Sequence, residues 1–342
     1  MKLSELGEFG LINLIHGTID KLKNPQQSAW QQLLLGIGDD AAAWQGDNLI
    51  QLATTDTLVQ DIHFDLNFIT WDELGWKALA VNLSDIAAMG GIPKYALLSL
   101  ALPAEIEVES ISRFTTSMAH LAAEYGVAIA GGNIAGSPNI VITITVLGYL
   151  RGETMLKRST ASPGEQVAIT GYLGLSAAAL EMFHKKISLD TETTTILRKG
   201  HAQPVPKVKE AQILVQHGVK TAIDISDGLI ADLTHICEAS KVSAEIQIDR
   251  VPVHPLVKAH FPDYQELALH GGEDYELLFT ASKTVTGQVS RALDCPVTVI
   301  GNIKEESPPQ RVNLVDNEGN VIPYNKRGWE HFKNGISNAK LT

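Results

Sequence analysis

The sequence predicts a two-domain protein of mixed α/β class. Three observations carry that expectation. Strand-like and helix-like patterns alternate from about residue 49 to residue 300. They fall into two sets, parted at Arg151 to Gly164 by a stretch of charges, Ser, Thr and Pro-Gly. A chain of 342 residues is also long enough for two hydrophobic cores. The expected domains are residues 1–150 and 151–342.

In the first set, Leu3, Leu6, Phe9 and Ile12 recur at helical spacing, with a break near Asn24-Pro25. Leu49 to Thr55 reads as a strand ending in Thr54-Thr55-Asp56. Thr70-Trp-Asp-Glu73 is a capping box for a helix that runs to about Met89 and stops at Gly90-Gly91. Tyr95 to Leu102 is a strand, and Glu107 to Tyr125 a helix ended by Gly126. Val127 to Ala130 and Ile140 to Leu150 are strands. This order predicts an α/β sandwich with helices on one face. In the second set the strands are Val167 to Thr170, Thr221 to Asp224, Ser243 to Asp249, Tyr275 to Thr280 and Val297 to Ile300. Leu175 to His184 and Asp227 to Ser240 are helices.

Composition narrows the function. Hydrophobic residues make up 44% of the chain, which supports packed cores. No apolar run reaches the length of a membrane span, and Glu5 and Glu8 interrupt a signal-peptide pattern. Cys237 and Cys295 lack metal-type spacing, so reduced thiols in a cytoplasmic protein are expected. A net charge of −12 argues against a nucleic-acid surface. An acidic chain that binds phosphates needs cations or local donors.

Acid-bearing motifs recur at expected strand ends. Gly36-Ile-Gly-Asp-Asp-Ala41 imitates a dinucleotide fingerprint, but Asp39 and Asp40 would sit where a pyrophosphate meets helix N–H groups. Thr54, Thr55 and Asp56 form a hard-oxygen set of the type magnesium prefers, and serve equally as a strand cap. His63 follows on the adjoining loop. Asp85 lies on or beside the apolar face of its helix and needs a cation, a lysine or a cap. Gly131-Gly132-Asn133 would let a ligand approach the backbone. Asp224-Ile-Ser226-Asp227-Gly228 opens a helix, with Asp227 as its default N-cap. Gly271-Gly-Glu273-Asp274-Tyr-Glu276 packs three acids before a strand. Arg158 stands at the junction as a bidentate phosphate donor or a surface cation. Together the motifs suit a multi-metal site for polyphosphates.

In this order, and with Lys77 to Gly90 and Gly328-Trp-Glu-His-Phe332 added, the motifs resemble thiamine-monophosphate kinase. That family sits in the aminoimidazole-ribonucleotide synthetase-like superfamily, and the resemblance runs from Glu5 to Phe332. It implies an N-terminal α/β domain that forms a β-barrel across a homodimer, and a C-terminal α/β domain. It implies ATP, several Mg2+ ions and direct γ-phosphoryl transfer to thiamine monophosphate. Carried over by motif, Asp40, Thr54, Thr55, Asp56, Asp85, Asn133, Asp224 and Asp227 would be metal ligands. Gly132, Asn133, Arg158 and Ser226 would contact ATP, and His63, Glu273 and Trp329 would hold thiamine monophosphate. Another ATP-dependent synthetase of the superfamily, or a non-catalytic nucleotide-binding protein, remains open from sequence.

Overall fold

The computed structural model describes residues 31–307 and 311–324, with isolated positions before residue 31. Ile12 is helical, but Leu3, Leu6, Phe9 and the Trp329 motif lie outside the described residues. The first half contains β1 (Leu33–Leu35), β2 (Ala42–Gln45), β3 (Ile50–Val59), α1 (Trp71–Ala88), β4 (Ile92–Leu102), α2 (Val108–Glu124), β5 (Ala128–Gly136) and β6 (Val141–Tyr149). Its strands form one sheet in the order β1-β2-β3-β6-β4-β5. Only β4 and β5 run parallel, and α2 supplies their crossover.

Burial alternates along β6. Ile142, Ile144 and Val146 are buried beneath α1, while Thr143 and Thr145 face the other way. Among the described residues nothing covers the opposite face, where Tyr95 and Leu97 are exposed. Two sequence expectations shift here. Thr54-Thr55-Asp56 lies within β3 and Gly131-Gly132-Asn133 within β5, each inside a strand rather than at its end. Ladder pairing with β6 and β4 overrides the poor strand preference of Asp, Asn and Gly.

The second half contains β7 (Gln166–Thr170), α3 (Leu175–His184), α4 (Thr191–Ala202), α5 (Val208–Gln216), β8 (Thr221–Asp224), α6 (Leu229–Ser240), β9 (Ser243–Gln247), α7 (Pro255–His260), α8 (Tyr264–His270), β10 (Leu277–Ala281), α9 (Lys283–Ala292), β11 (Val297–Lys304), β12 (Val312–Val315) and β13 (Val321–Ile322). The sheet order is β13-β12-β9-β11-β7-β10-β8. Ile169, Ile223 and Leu278 pack into one core, which includes α6 residues. Ala168, Ala222 and Phe279 pack into another, with residues of α5 and α9. Both faces are therefore covered, unlike those of the first sheet.

α1 joins the halves. The capping box at its start is present: the Thr70 hydroxyl accepts from the Glu73 N–H, and Glu73 accepts from the Thr70 N–H. The helix is buried almost all round, as a helix between two layers must be. It packs on β3, β4 and β6 on one side and on α5 and β8 on the other. Among the described residues, no helix is long and apolar enough to cross a membrane.

Candidate active site: an acid cluster between the two sheets

Consecutive residues of α1 reach both halves. The Thr54 hydroxyl of β3 donates to Asp85 Oδ2 at 2.6 Å. The Ser84 hydroxyl donates to Asp224 Oδ2 at the end of β8, also at 2.6 Å. Asp56 is held beside them, its N–H bonded to Asn82 Oδ1 at 3.0 Å. The turn before β2 adds Asp40. One oxygen each from Asp40, Asp85 and Asp224 lie within 4.8 Å of one another.

This crowding sets the proton affinities. Burial, reinforced by Asp40, pushes Asp224 from 3.8 to about 8. Burial raises Asp56 to about 6. Burial and the charges of Asp56, Asp224 and Asp40 drive Asp85 well above the carboxylate range. Buried like charges at such spacing need a cation or protons.

Arg158 is the nearby fixed cation. It grips Asp40 with two nitrogens, at 2.6 and 3.3 Å. Burial would lower its pKa, but Asp40 and Asp39 outweigh that and raise it. Asp39 shapes the turn, accepting from the Asp40 and Arg158 N–H groups at 3.0 and 3.3 Å.

A second trio sits at the start of α6, where Asp227, Asp232 and His235 bring ligand atoms within 4.8 Å. The expectation of Asp227 as N-cap is corrected here. The N-cap is Gly228, and Asp232 reaches back to accept from the Asp227 and Gly228 N–H groups at 3.2 and 3.1 Å. Asp232 and His235 are not among the residues expected from sequence. A carboxylate amid Leu229, Ile230, Ala231 and Leu233 is the available signal, the same one that singles out Asp85.

The acidic loop after α8 divides its work. Glu273 pairs with Lys77 at 2.7 Å and faces His201 at 3.2 Å. Asp274 accepts from the Gly174 N–H at the start of α3. Glu276 is held by Thr170 and Lys207. The loop is locked to the Asp224–Gly228 turn, since the Glu273 N–H donates to Ser226 O at 2.8 Å and the Tyr275 N–H to Ile225 O at 2.9 Å. A Cβ on Gly272 would stand 2.3 Å from Ser226 O, so that approach requires glycine. His63 Nδ1 accepts from the Val59 N–H at 3.0 Å.

Three of the expected residues lie elsewhere. The Thr55 side chain is on the open face, bonded to Ile144 O and Thr145. Gly132 and Asn133 line a shallow hollow there with Leu97, Ser99, Thr143 and Thr145. β5 is three strand spacings from β3, about 14 Å. Within one chain Asn133 and Asp56 therefore do not meet.

Comparison with known proteins decides the family. Residues 38–150 match the model for the AIR synthase related protein, N-terminal domain, and residues 162–310 match its C-terminal domain. Thiamine-monophosphate kinase of Bacillus subtilis is 35% identical over 336 residues, covering 96% of this chain and all of the relative. The chain belongs to the thiamine-monophosphate kinase family. The family member from Aquifex aeolicus is 34% identical, covering 97% of this chain and all of the relative. A solved structure of AaThiL complexed with AMPPCP and TMP superposes with a TM-score of 0.82 at 34% identity, covering 97% of this chain and 99% of that one. The architecture shared with these kinases is mixed α/β in two domains.

Proposed function

We propose that this chain transfers the γ-phosphoryl group of ATP to thiamine monophosphate, forming thiamine diphosphate. The meeting of Asp40, Asp85 and Asp224 between the two sheets carries the reading, in a chain whose full-length relatives bear that kinase name.

The donor set fits Mg2+. It consists of hard carboxylate oxygens, and the raised proton affinities of Asp85 and Asp224 mark an unmet need for positive charge. Asp40, Asp56, Asp85 and Asp224 would hold metal there. Thr54 spends its hydroxyl proton on Asp85 and keeps oxygen lone pairs for a cation. Asp227, with Asp232 and His235, would hold a further ion. Bound at these positions, magnesium would offset the charge of the ATP phosphates and of the acceptor phosphate.

The protein's own groups position and select. Arg158 balances Asp40 and has the planar fork that suits a phosphate. Ser226, one residue before Asp227, and Gly132 with Asn133 would contact ATP. His63, Glu273 and Trp329 would hold thiamine monophosphate. The acceptor phosphate is already ionised near neutral pH and needs no strong base. A thiol nucleophile is disfavoured, because burial pushes Cys237 up to about 12.

We place the work in a homodimer. Thr55, Gly132 and Asn133 lie on or beside the open face of the first sheet, whose apolar side chains and edge strand β5 suit a second copy. A barrel closed across two such sheets would cover that face. The division of labour follows the two domains, with residues 1–150 for dimerisation and metal and residues 151–342 for phosphate and substrate. Two free thiols fit a cytoplasmic setting.

Incubation of the purified chain with ATP, thiamine monophosphate and Mg2+ should yield thiamine diphosphate and ADP one for one, and EDTA should stop it. ATP consumption without thiamine diphosphate would contradict the assignment.

A further inference from the structure

Glu73, Trp76 and Lys77 share one face of α1 at spacings of three and four. All three meet α4 or the loop after it. Arg198 grips Glu73 at 3.0 and 2.7 Å. The Trp76 indole N–H donates to Pro204 O at 2.8 Å. Lys77 Nζ lies 3.2 Å from His201 Nε2. These contacts fix α4, and with it His201, against α1.

From there the network runs to Glu273. Lys77 Nζ is 2.7 Å from Glu273 Oε1, and His201 Nδ1 is 3.2 Å from Glu273 Oε2. A lysine only donates, so His201 Nε2 accepts and the proton sits on Nδ1, between Glu273 and the Ser176 hydroxyl. Burial, helped by Lys77, holds the imidazole pKa down at about 3, so the ring is neutral. Lys77 thus stands behind one carboxylate oxygen, and the His201 ring, fixed by Ser176, backs the other at 3.2 Å, which leaves lone pairs in front. Lys77 is wholly buried, whereas the Glu273 side chain is 25% exposed. Only Glu273 can reach a ligand. Its backbone is also held in the left-handed region, at φ 65°, which is unfavourable for a residue with a side chain and needs surrounding contacts to persist.

We propose that Lys77 and His201 are positioning residues for thiamine monophosphate, holding Glu273 as an aimed, ionised acceptor for the N–H-bearing heterocyclic end of the substrate. The proposal rests on the reading of Glu273 as a substrate contact. Without the lysine, a carboxylate in this setting would take up a proton or turn away. Because the Lys77–Glu273 pair carries no net charge, the selectivity comes from directed hydrogen bonds more than from attraction to the thiazolium ring.

Steady-state kinetics on Lys77→Met, His201→Phe, Glu273→Gln and the double variant Lys77→Met/Glu273→Gln test this. His201→Phe keeps an aromatic ring beside Phe68, now 5.4 Å away between centroids. Lys77→Met and Glu273→Gln should each raise KM for thiamine monophosphate by about tenfold, and His201→Phe by about threefold, with KM for ATP within about twofold. The double variant should match Glu273→Gln alone, since Lys77 acts through Glu273. If Glu273→Gln shifts that KM while the other two single variants only lower kcat in step with their folded fraction, the positioning role is overturned and the substrate contact stands. If Lys77→Met does not fold, His201→Phe decides by the same split. If Glu273→Gln leaves the KM unchanged, the substrate contact itself fails, and the proposal with it.

Discussion

Asp85→Asn should lower turnover by about a thousandfold and yet make the metal-free protein more stable at pH 8. Both effects come from one fact. Asp85 lies between Asp56 and Asp224, and their charges oppose its ionisation. Removing its charge removes a metal ligand and also removes the repulsion. The pH dependence follows from the same groups, joined by Asp39 and Asp274, which burial raises to about 7. Asp56, near 6, and Asp224, near 8, hold protons more tightly in the folded protein than at the ordinary 3.8. The native state therefore binds more protons than the unfolded chain between these limits. The contribution of these groups to stability is most favourable below about pH 4 and is lost as pH rises through the 6 to 8 window. In EDTA the melting temperature should drop by roughly 5 °C from pH 6 to pH 8. Asp85→Asn should flatten that slope, and Mg2+ should reverse it in the wild type through binding to the folded state. Glu73 and Glu273 are shifted downward, so they titrate below this window and leave its sign unchanged. A slope that Asp85→Asn leaves intact would separate the cluster from the stability.

Gly132→Val should abolish activity by dismantling the proposed dimer face. A Cβ at Gly132 would stand 1.7 Å from Leu98 O, inside the β4–β5 ladder. The edge strand must move to admit it. Gly136 ends the same strand, and a Cβ added there would meet nothing within 4 Å, so Gly136→Ala is the matched control. Sedimentation should give about twice 37.0 kDa for the wild type and the control. Gly132→Val should sediment as a monomer, with kcat down by at least about a hundredfold. A fully active monomeric wild type would remove the dimer from the mechanism.

Legibility in the sequence tracks how local the cause is. The capping box at Thr70 and the apolar stripe of α1 are short-range patterns, and they place Asp85 in the interior. Leu175 to His184 and Thr221 to Asp224 are legible to the residue. α4 is not, because Thr191-Glu-Thr-Thr-Thr195 is a poor helix-forming run whose start depends on the Asp190 cap. β1 and β2 escape a sequence reading because they are three and four residues long, too short for a period to show. In the site, residue types are legible and partners are not. Arg158 meets Asp40 across 118 positions, and His201 meets Lys77 across 124. No spacing rule spans such distances. The motif order carries the family, while the pairing of Lys77 with Glu273, rather than with Asp85, needs the packing of α1 on α4.

The proposed function rests on one central claim: phosphate passes directly from ATP to thiamine monophosphate across the cluster, with no covalent protein intermediate. ATP made chiral at the γ-phosphorus by oxygen isotopes tests it most directly, read out by the configuration at the transferred phosphorus of thiamine diphosphate. A single in-line transfer predicts inversion. Retention would show two transfers through a phosphorylated side chain and would contradict the account.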